Sequence, residues 1–186
     1  ERIVRSNPDR VVLIDEAYID FGGESAIPLT ARYENLLIVQ TLSKSRCLAG
    51  LRCGFAVGSP VLIEGLARIK NSFNSYTMDT IALKLAKAAI EDKEYFLDTV
   101  NKVKATRAWV SAELRKLGFR FADSYANFLF VTHPNMEASV LFEQLRRQGI
   151  LVRYFNLPRI QNHLRITVGT DEEMKQLINK LKEILP

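Results

Sequence analysis

LLIVQTLSKS, residues 36–45, is the stretch on which the fold turns. Its first four residues are continuously apolar, without the alternation of a strand that has one wet face. Such runs belong to strands covered on both sides, as in parallel sheets. A second run of the same kind, VVLI at 11–14, lies upstream. Between them, a stretch at 22–30 rich in Gly, Pro and Ser leaves room for a crossover between neighbouring parallel strands. GFAVGS, 54–59, is a candidate third strand, ended by Ser59-Pro60, and Pro60 suits the first turn of a helix running to about residue 70. Residues 1–78 are therefore expected to form a parallel α/β piece with too few strands to stand as an independent, doubly covered sheet.

The remainder, 79–186, reads differently. Asp79 can cap a helix over TIALKLAKAAIED. Phe96, Val100, Val103, Val110, Leu114 and Leu117 then recur on one face of a long helix that Gly118 stops. A small α+β unit is expected to follow. Its strands are drawn from FRFADSYANFLFVTH, ILVRYF and HLRITVG. One helix is opened by Asn135 and closed by Gly149. A last helix is capped by Thr170 with Glu173 and carries the stripe Met174, Leu177, Ile178, Leu181, Ile184.

Composition narrows the function. The profile, 47% hydrophobic and 25% charged, is that of a soluble globular protein. The net charge of +5 is dispersed, with no basic block interleaved with aromatics, so nucleic acid is not an expected partner. Anionic small molecules suit the balance better. Cys47 and Cys53 match no zinc spacing, and His133 and His163 are distant in sequence, so no metal is expected. Two free thiols point to a reducing, cytoplasmic setting. No apolar run approaches the roughly 20 residues that span a bilayer, and no signal peptide opens the chain.

The chemistry gathers at the carboxyl ends of the two apolar runs, where open α/β sheets bind ligands. Asp15-Glu16 follows the first; read alone, the pair is equally a helix cap or a surface acid pair. Lys44 follows the second. Thr41, Ser43 and Ser45 surround it with hydroxyls, Ala49-Gly50 allows close backbone approach, and Arg52 offers a fork for phosphate oxygens. The glycines of a Walker loop are absent. A lysine acting as an amine nucleophile needs a lowered pKa, for which Arg52 is a candidate source of charge. Pyridoxal phosphate accounts for each part. The lysine bonds the aldehyde and a carboxylate keeps the ring nitrogen protonated. A tyrosine such as Tyr18 reaches the ring's phenolic oxygen, and hydroxyls with an arginine take the phosphate.

DEAYIDF (15–21) and TLSKSRCLAGLRCGF (41–55) resemble the fold-type-I aminotransferases, and among them the histidinol-phosphate aminotransferase family, with its D-E-A-Y and S-K-x-x-x-L-A-G-L-R-x-G runs. SYANFLFV (124–131) and LRITVGT (164–170) are similar to that family's small-domain signatures. The resemblance implies an α/β fold: part of a large cofactor-binding domain with a mostly parallel sheet, then a long helix and a small α+β domain. It implies pyridoxal 5′-phosphate bonded to Lys44, with Asp15 at the pyridine nitrogen, Tyr18 at the phenolic oxygen, and Thr41, Ser43 and Arg52 at the phosphate. Arg165 would grip the anionic end of the substrate, Arg153 would be a second anion contact, and Asn127 would line the pocket or satisfy buried backbone. The implied activity is amino exchange between glutamate and imidazole-acetol phosphate, giving histidinol phosphate in histidine biosynthesis, by a homodimer. Two rivals share the motifs: a threonine-phosphate decarboxylase of the same fold, and a folded fragment without catalysis. KNSFNSY (70–76) departs from the family's Pro-Tyr-Asn run. The family's N-terminal segments have no counterpart here, so the chain is expected to be a piece of a longer protein, and normal activity is not expected of it alone.

Overall fold

In a computed structural model the chain falls into two compact units, Glu1–Asp98 and Thr99–Pro186; residues 1–185 are described. Residue 79, where the composition changes, is a helix N-cap, and the units part later, inside the long helix.

The first unit opens with a short helix α1 (Arg2–Arg5) and a strand β1 (Val12–Asp15). Two short 3-10 turns, Ile19–Phe21 and Ile27–Ala31, fill the crossover to β2 (Leu36–Thr41). β1 and β2 are parallel, with Val12 opposite Leu36 and Asp15 opposite Val39. β3 (Gly54–Gly58) returns antiparallel on the other side of β2, so the sheet is mixed, in the order β1-β2-β3. The link from 42 to 53 holds one 3-10 turn, Ala49–Leu51, and no α-helix. Without a covering helix the chain doubles back instead of crossing over. Gly54 is needed where it does so, since a Cβ there would lie 2.8 Å from the Gln40 carbonyl.

Leu36, Leu37 and Ile38 of β2 are buried. The flanking strand β1 is not covered on both faces: Val12 and Ile14 pack with Val4, Leu36, Ile38, Leu29 and Tyr33, while Leu13 is 54% exposed. Glu16, just past β1, turns inward and accepts from Ser25 Oγ (2.7 Å), Ala26 N (2.7 Å) and Gln40 Nε2 (2.8 Å). A buried carboxylate is tolerated because it is satisfied in this way, and here it ties the crossover to β2. Two helices follow, α2 (Pro60–Asn74) and α3 (Thr80–Glu91). Asp79 caps α3, accepting from Ala82 N at 2.7 Å. No residue of α2 is buried, and α3 buries only Ala82 and Ala86.

α4 (Lys93–Lys116) runs from the first unit into the second, where it ends at Gly118, whose φ of +86° is left-handed. A Cβ at Gly118 would also press on His133 Nε2 at 3.1 Å. The second unit is an antiparallel sheet of β4 (Phe128–Val131), β5 (Arg153–Tyr154) and β6 (Leu164–Thr167), in the order β4-β6-β5. One sheet face, with Leu129, Val131, Leu164 and Ile166, packs on α4, α5 (Ala138–Arg147) and α6 (Asp171–Ile184) through Val110, Leu114, Leu141, Leu145, Leu177 and Leu181. Thr170 and Glu173 form the expected capping box of α6. The expected start of α5 at Asn135 is wrong. The N-cap is Glu137, because His133 and Met136 first form a β-bridge and the Asn135 amide is drawn to His133 Nδ1. Asn162 Oδ1 then takes the Ala138 amide at 2.9 Å.

Candidate functional site

The parallel pairing of β1 and β2 sets their carboxyl ends side by side, and that alone brings the two motifs together. A cleft of about 350 Å³ opens there, lined by Asp15, Gln40, Thr41, Ser43, Lys44 and Arg52 among others. A larger groove of about 610 Å³ lies beside α1 and Ser59 and contains none of the singled-out residues. Chemistry, not volume, marks the smaller cleft as the candidate site.

Asp15 ends β1 and is exposed to the cleft; its Oδ1 accepts from Ala17 N at 2.9 Å, which fixes the carboxylate over the turn. Thr41 ends β2. Its hydroxyl lies 2.9 Å from that of Ser43 and accepts the Ser43 amide at 3.1 Å. Lys44 begins a turn closed by the Cys47 amide on the Lys44 carbonyl at 3.0 Å. Its Nζ stands 5.5 Å from the centre of the Tyr18 ring, within cation–π range. Arg52 has a left-handed backbone (φ +52°), and its Nη1 donates to Ala49 O at 2.9 Å. It joins no ion pair among the described residues, so most of its fork remains for an anion. The amine, carboxylate, paired hydroxyls and guanidinium thus meet in one cleft. Tyr18 does not line it but lies against Lys44.

The second unit gathers its own cluster on the sheet face opposite the core. Arg165 of β6 stands in register with Arg153 of β5 and Phe130 of β4. Arg165 Cζ lies 5.4 Å from the Phe128 ring and 5.9 Å from that of Phe155, and Arg153 Cζ lies 5.4 Å from Phe155. Like charges directly opposite on adjacent strands repel. Here no carboxylate among the described residues relieves them, and the Arg165 Nε is buried without a partner. His163 was not anticipated. It stacks on Phe130 (4.7 Å, 12°) and its Nδ1 is also buried and unpartnered. The period-two spacing of His163 with Arg165, and of Phe128 with Phe130, is the signal that places them on one face. Asn127 stands at the head of β4, where its carbonyl accepts the Val168 amide at 2.9 Å. The preceding residue is pinned by Arg107, which donates to Ala126 O at 2.6 Å and whose pKa is held below the ordinary arginine value by burial.

Among the described residues no group of His, Cys, Asp and Glu is placed to hold a metal ion, and no helix is long and apolar enough to cross a membrane. The family model for aminotransferase class I and II matches residues 2–181. A histidinol-phosphate aminotransferase of Clostridium acetobutylicum is 57% identical over 185 residues, covering 100% of this chain and 53% of that protein. One from Aromatoleum aromaticum is 59% identical over 185 residues, covering 100% and 52%. The solved histidinol-phosphate aminotransferase of Sinorhizobium meliloti, in complex with pyridoxal-5′-phosphate, matches at a TM-score of 0.84 and 25% identity, over 99% of this chain and 52% of its own. The chain spans about half the length of the curated relatives it matches.

Proposed function

Because the chain belongs to the class I and II aminotransferase family, we propose that its first unit holds pyridoxal 5′-phosphate, and that the full-length protein passes an amino group from glutamate to imidazole-acetol phosphate, yielding histidinol phosphate. The observation that carries this reading is the single cleft lined by both Lys44 and Asp15, with Thr41, Ser43 and Arg52 beside them. Its volume of about 350 Å³ falls within the usual range for small-molecule sites. The donor set fits the cofactor part by part: an amine for an aldehyde, a carboxylate for a pyridinium, hydroxyls and a guanidinium for a phosphate.

When bound, the cofactor supplies an aldehyde for the lysine and an electron-withdrawing ring that acidifies the substrate's Cα–H. Asp15, steadied by the Ala17 amide, keeps a proton on the ring nitrogen. Thr41, Ser43 and Arg52 hold the phosphate, with Arg52 giving the charge-assisted bonds. Tyr18, beside Lys44, would donate its hydroxyl to the phenolic oxygen. Lys44 would bond the aldehyde and, with its amine free, would be the base that takes the proton from the substrate's α-carbon and the acid that returns it to the cofactor's aldehyde carbon. Arg165 and Arg153 bind the anionic group of the substrate, and one guanidinium face serves a carboxylate and a phosphate ester in turn.

Two broader parts of the proposal concern setting. The full-length protein is a homodimer, which accords with exposed apolar residues such as Phe73 (93%) and Tyr76 (92%). It works in the cytoplasm, which accords with Cys47 and Cys53 as free thiols.

Incubation of the full-length protein with pyridoxal 5′-phosphate, then borohydride reduction and peptide mass analysis, is expected to leave the cofactor on Lys44. Lys44→Ala is expected to lose both the adduct and amino transfer. An adduct on another lysine, or ordinary transfer by Lys44→Ala, overturns the reading. Products separate the family's chemistries: 2-oxoglutarate from glutamate marks transfer, whereas carbon dioxide released without it marks decarboxylation.

A further inference from the structure

Lys44 is exposed, but the residue after it is not. Ser45 is 4% exposed, and its hydroxyl donates to Asp20 Oδ2. Asp20 lies in the 3-10 turn Ile19–Phe21 that directly follows Tyr18, and that turn is seated by Phe21, which is 3% exposed. The bond therefore joins the loop carrying Lys44 to the loop carrying Asp15 and Tyr18. The next residue, Arg46, anchors the turn elsewhere. Its Nη1 donates to Ala89 O at 2.6 Å, satisfying a carbonyl at the free end of α3, and its guanidinium lies 3.5 Å from the centre of the Phe96 ring. The two central residues of the turn that begins at Lys44 are thus both tied down, and Ser45 is tied to the opposite motif.

We infer that Ser45 and Asp20 are a positioning pair: they touch neither cofactor nor substrate, and they set the distance between the Lys44 amine and the carboxylate and tyrosine across the cleft. The inference rests on the proposed role of Lys44. A lysine side chain has several free torsions, and proton transfer demands a narrow geometry. If the backbone beneath the amine is fixed, only the side chain remains to be ordered. The hydroxyl-to-carboxylate bond is charge-assisted, and its serine end is buried, so it is a firm tie.

The test uses the full-length protein with pyridoxal 5′-phosphate as the probe. It compares Ser45→Ala, Asp20→Ala, their double variant and Asp20→Asn, which keeps an acceptor oxygen. Each alanine variant is expected to slow cofactor attachment at Lys44 and to lower kcat by about tenfold, within what a misplacement of order 1 Å costs, with KM for glutamate little changed. The double variant should be no slower than the slower single variant, because one bond is lost in all three. Asp20→Asn should recover most of the rate. Full-rate attachment and turnover in Ser45→Ala overturns the pair while leaving the role of Lys44 standing. Losses that multiply in the double variant also overturn it, as does a fall in KM and kcat together. If the alanine variants unfold, Asp20→Asn decides: wild-type folding with an alanine-like loss of rate overturns the inference, and a recovered rate supports it. No attachment to Lys44 in the unaltered protein removes the premise, and the inference with it.

Discussion

The two units of this chain solve the burial problem to different degrees. In the second, side chains from three helices and three strands close over one face of a sheet, and Val110, Leu114, Leu145 and Leu181 have no exposed surface. In the first, the deepest cluster is small, built on Val4, Leu36 and Ile38, and much apolar surface stays open: Leu13 on β1, Val61 and Ile69 on α2, Ile81 and Leu83 on α3. A helix of a folded domain ordinarily hides an apolar stripe. α2 hides none, although its sequence is amphipathic. The second unit therefore closes a core of its own, while the first leaves much of its apolar surface uncovered. The chemistry-rich cleft lies in the unit with the smaller core, and the arginine cluster in the one with the larger.

The largest stability effect expected from this contrast is in the second unit. Leu145→Ala should cost about 2–5 kcal/mol, the usual range for truncating a fully buried leucine, whereas Ile69→Ala on α2, exposed by 70%, should change the stability of the isolated chain by less than about 0.5 kcal/mol. Chemical denaturation of both variants checks the pair. A comparable loss from Ile69→Ala would mean that α2 is covered, for instance by self-association, and the dependence of that loss on protein concentration would show it.

What was legible in the sequence follows the same line. That Asp15, Ser43 and Lys44 share one cleft was readable because it needs only two parallel strands ending at the same level, while Arg52 joins them through the return into β3. The Thr170–Glu173 capping box, the Asp79 cap and the stops at Gly118 and Gly149 were readable because each is local. What escaped depends on register and on side chains reaching across the fold. The run VVLI gives no sign that Leu13 faces outward, since exposure there depends on what lies over the sheet. Asp15 and Glu16 look alike in sequence, yet the pleat sends one to the cleft and the other inward to Ser25 and Gln40. The reversal into β3 and the late start of α5 were set by a short link and by a His133 bridge, neither of which periodicity reports. His163 became visible only when β6 was placed against β4.

The arginine cluster offers a sharper test of the division of labour. Arg165→Met keeps an unbranched stem but removes the guanidinium that lies over Phe128 and Phe155, and its charge with it. Substrate binding should weaken by about 1.5–3 kcal/mol, the worth of hydrogen bonds to a charged group, which appears as a raised KM for both glutamate and the phosphate ester. The second unit should become no less stable, because the substitution relieves repulsion from Arg153 across the strand pair. An unchanged KM with a lower unfolding midpoint would instead make Arg165 a structural residue.

The smallest effect expected is on the acid limb of stability, and it too belongs to the second unit. Glu113 on α4 accepts from Lys116 Nζ at 2.6 Å and lies 3.9 Å from Lys182 of α6. The Lys116 hydrogen bond, with the nearby positive charges, holds its pKa below the ordinary glutamate value. A carboxyl whose folded pKa is depressed releases its proton more readily when folded. Its contribution is therefore present above the unfolded pKa and fades as pH falls through the folded one. Glu113→Gln should leave a shallower loss of stability below the ordinary carboxylate range and little change near neutrality, where exposed pairs of this kind are worth little. Urea titrations of the two proteins along that acid range read the difference directly. Parallel curves would show that the Lys116 contact is not maintained in solution, and would leave the apolar layer between α4 and α6, with Leu114, Leu177 and Leu181, to join the two helices unaided.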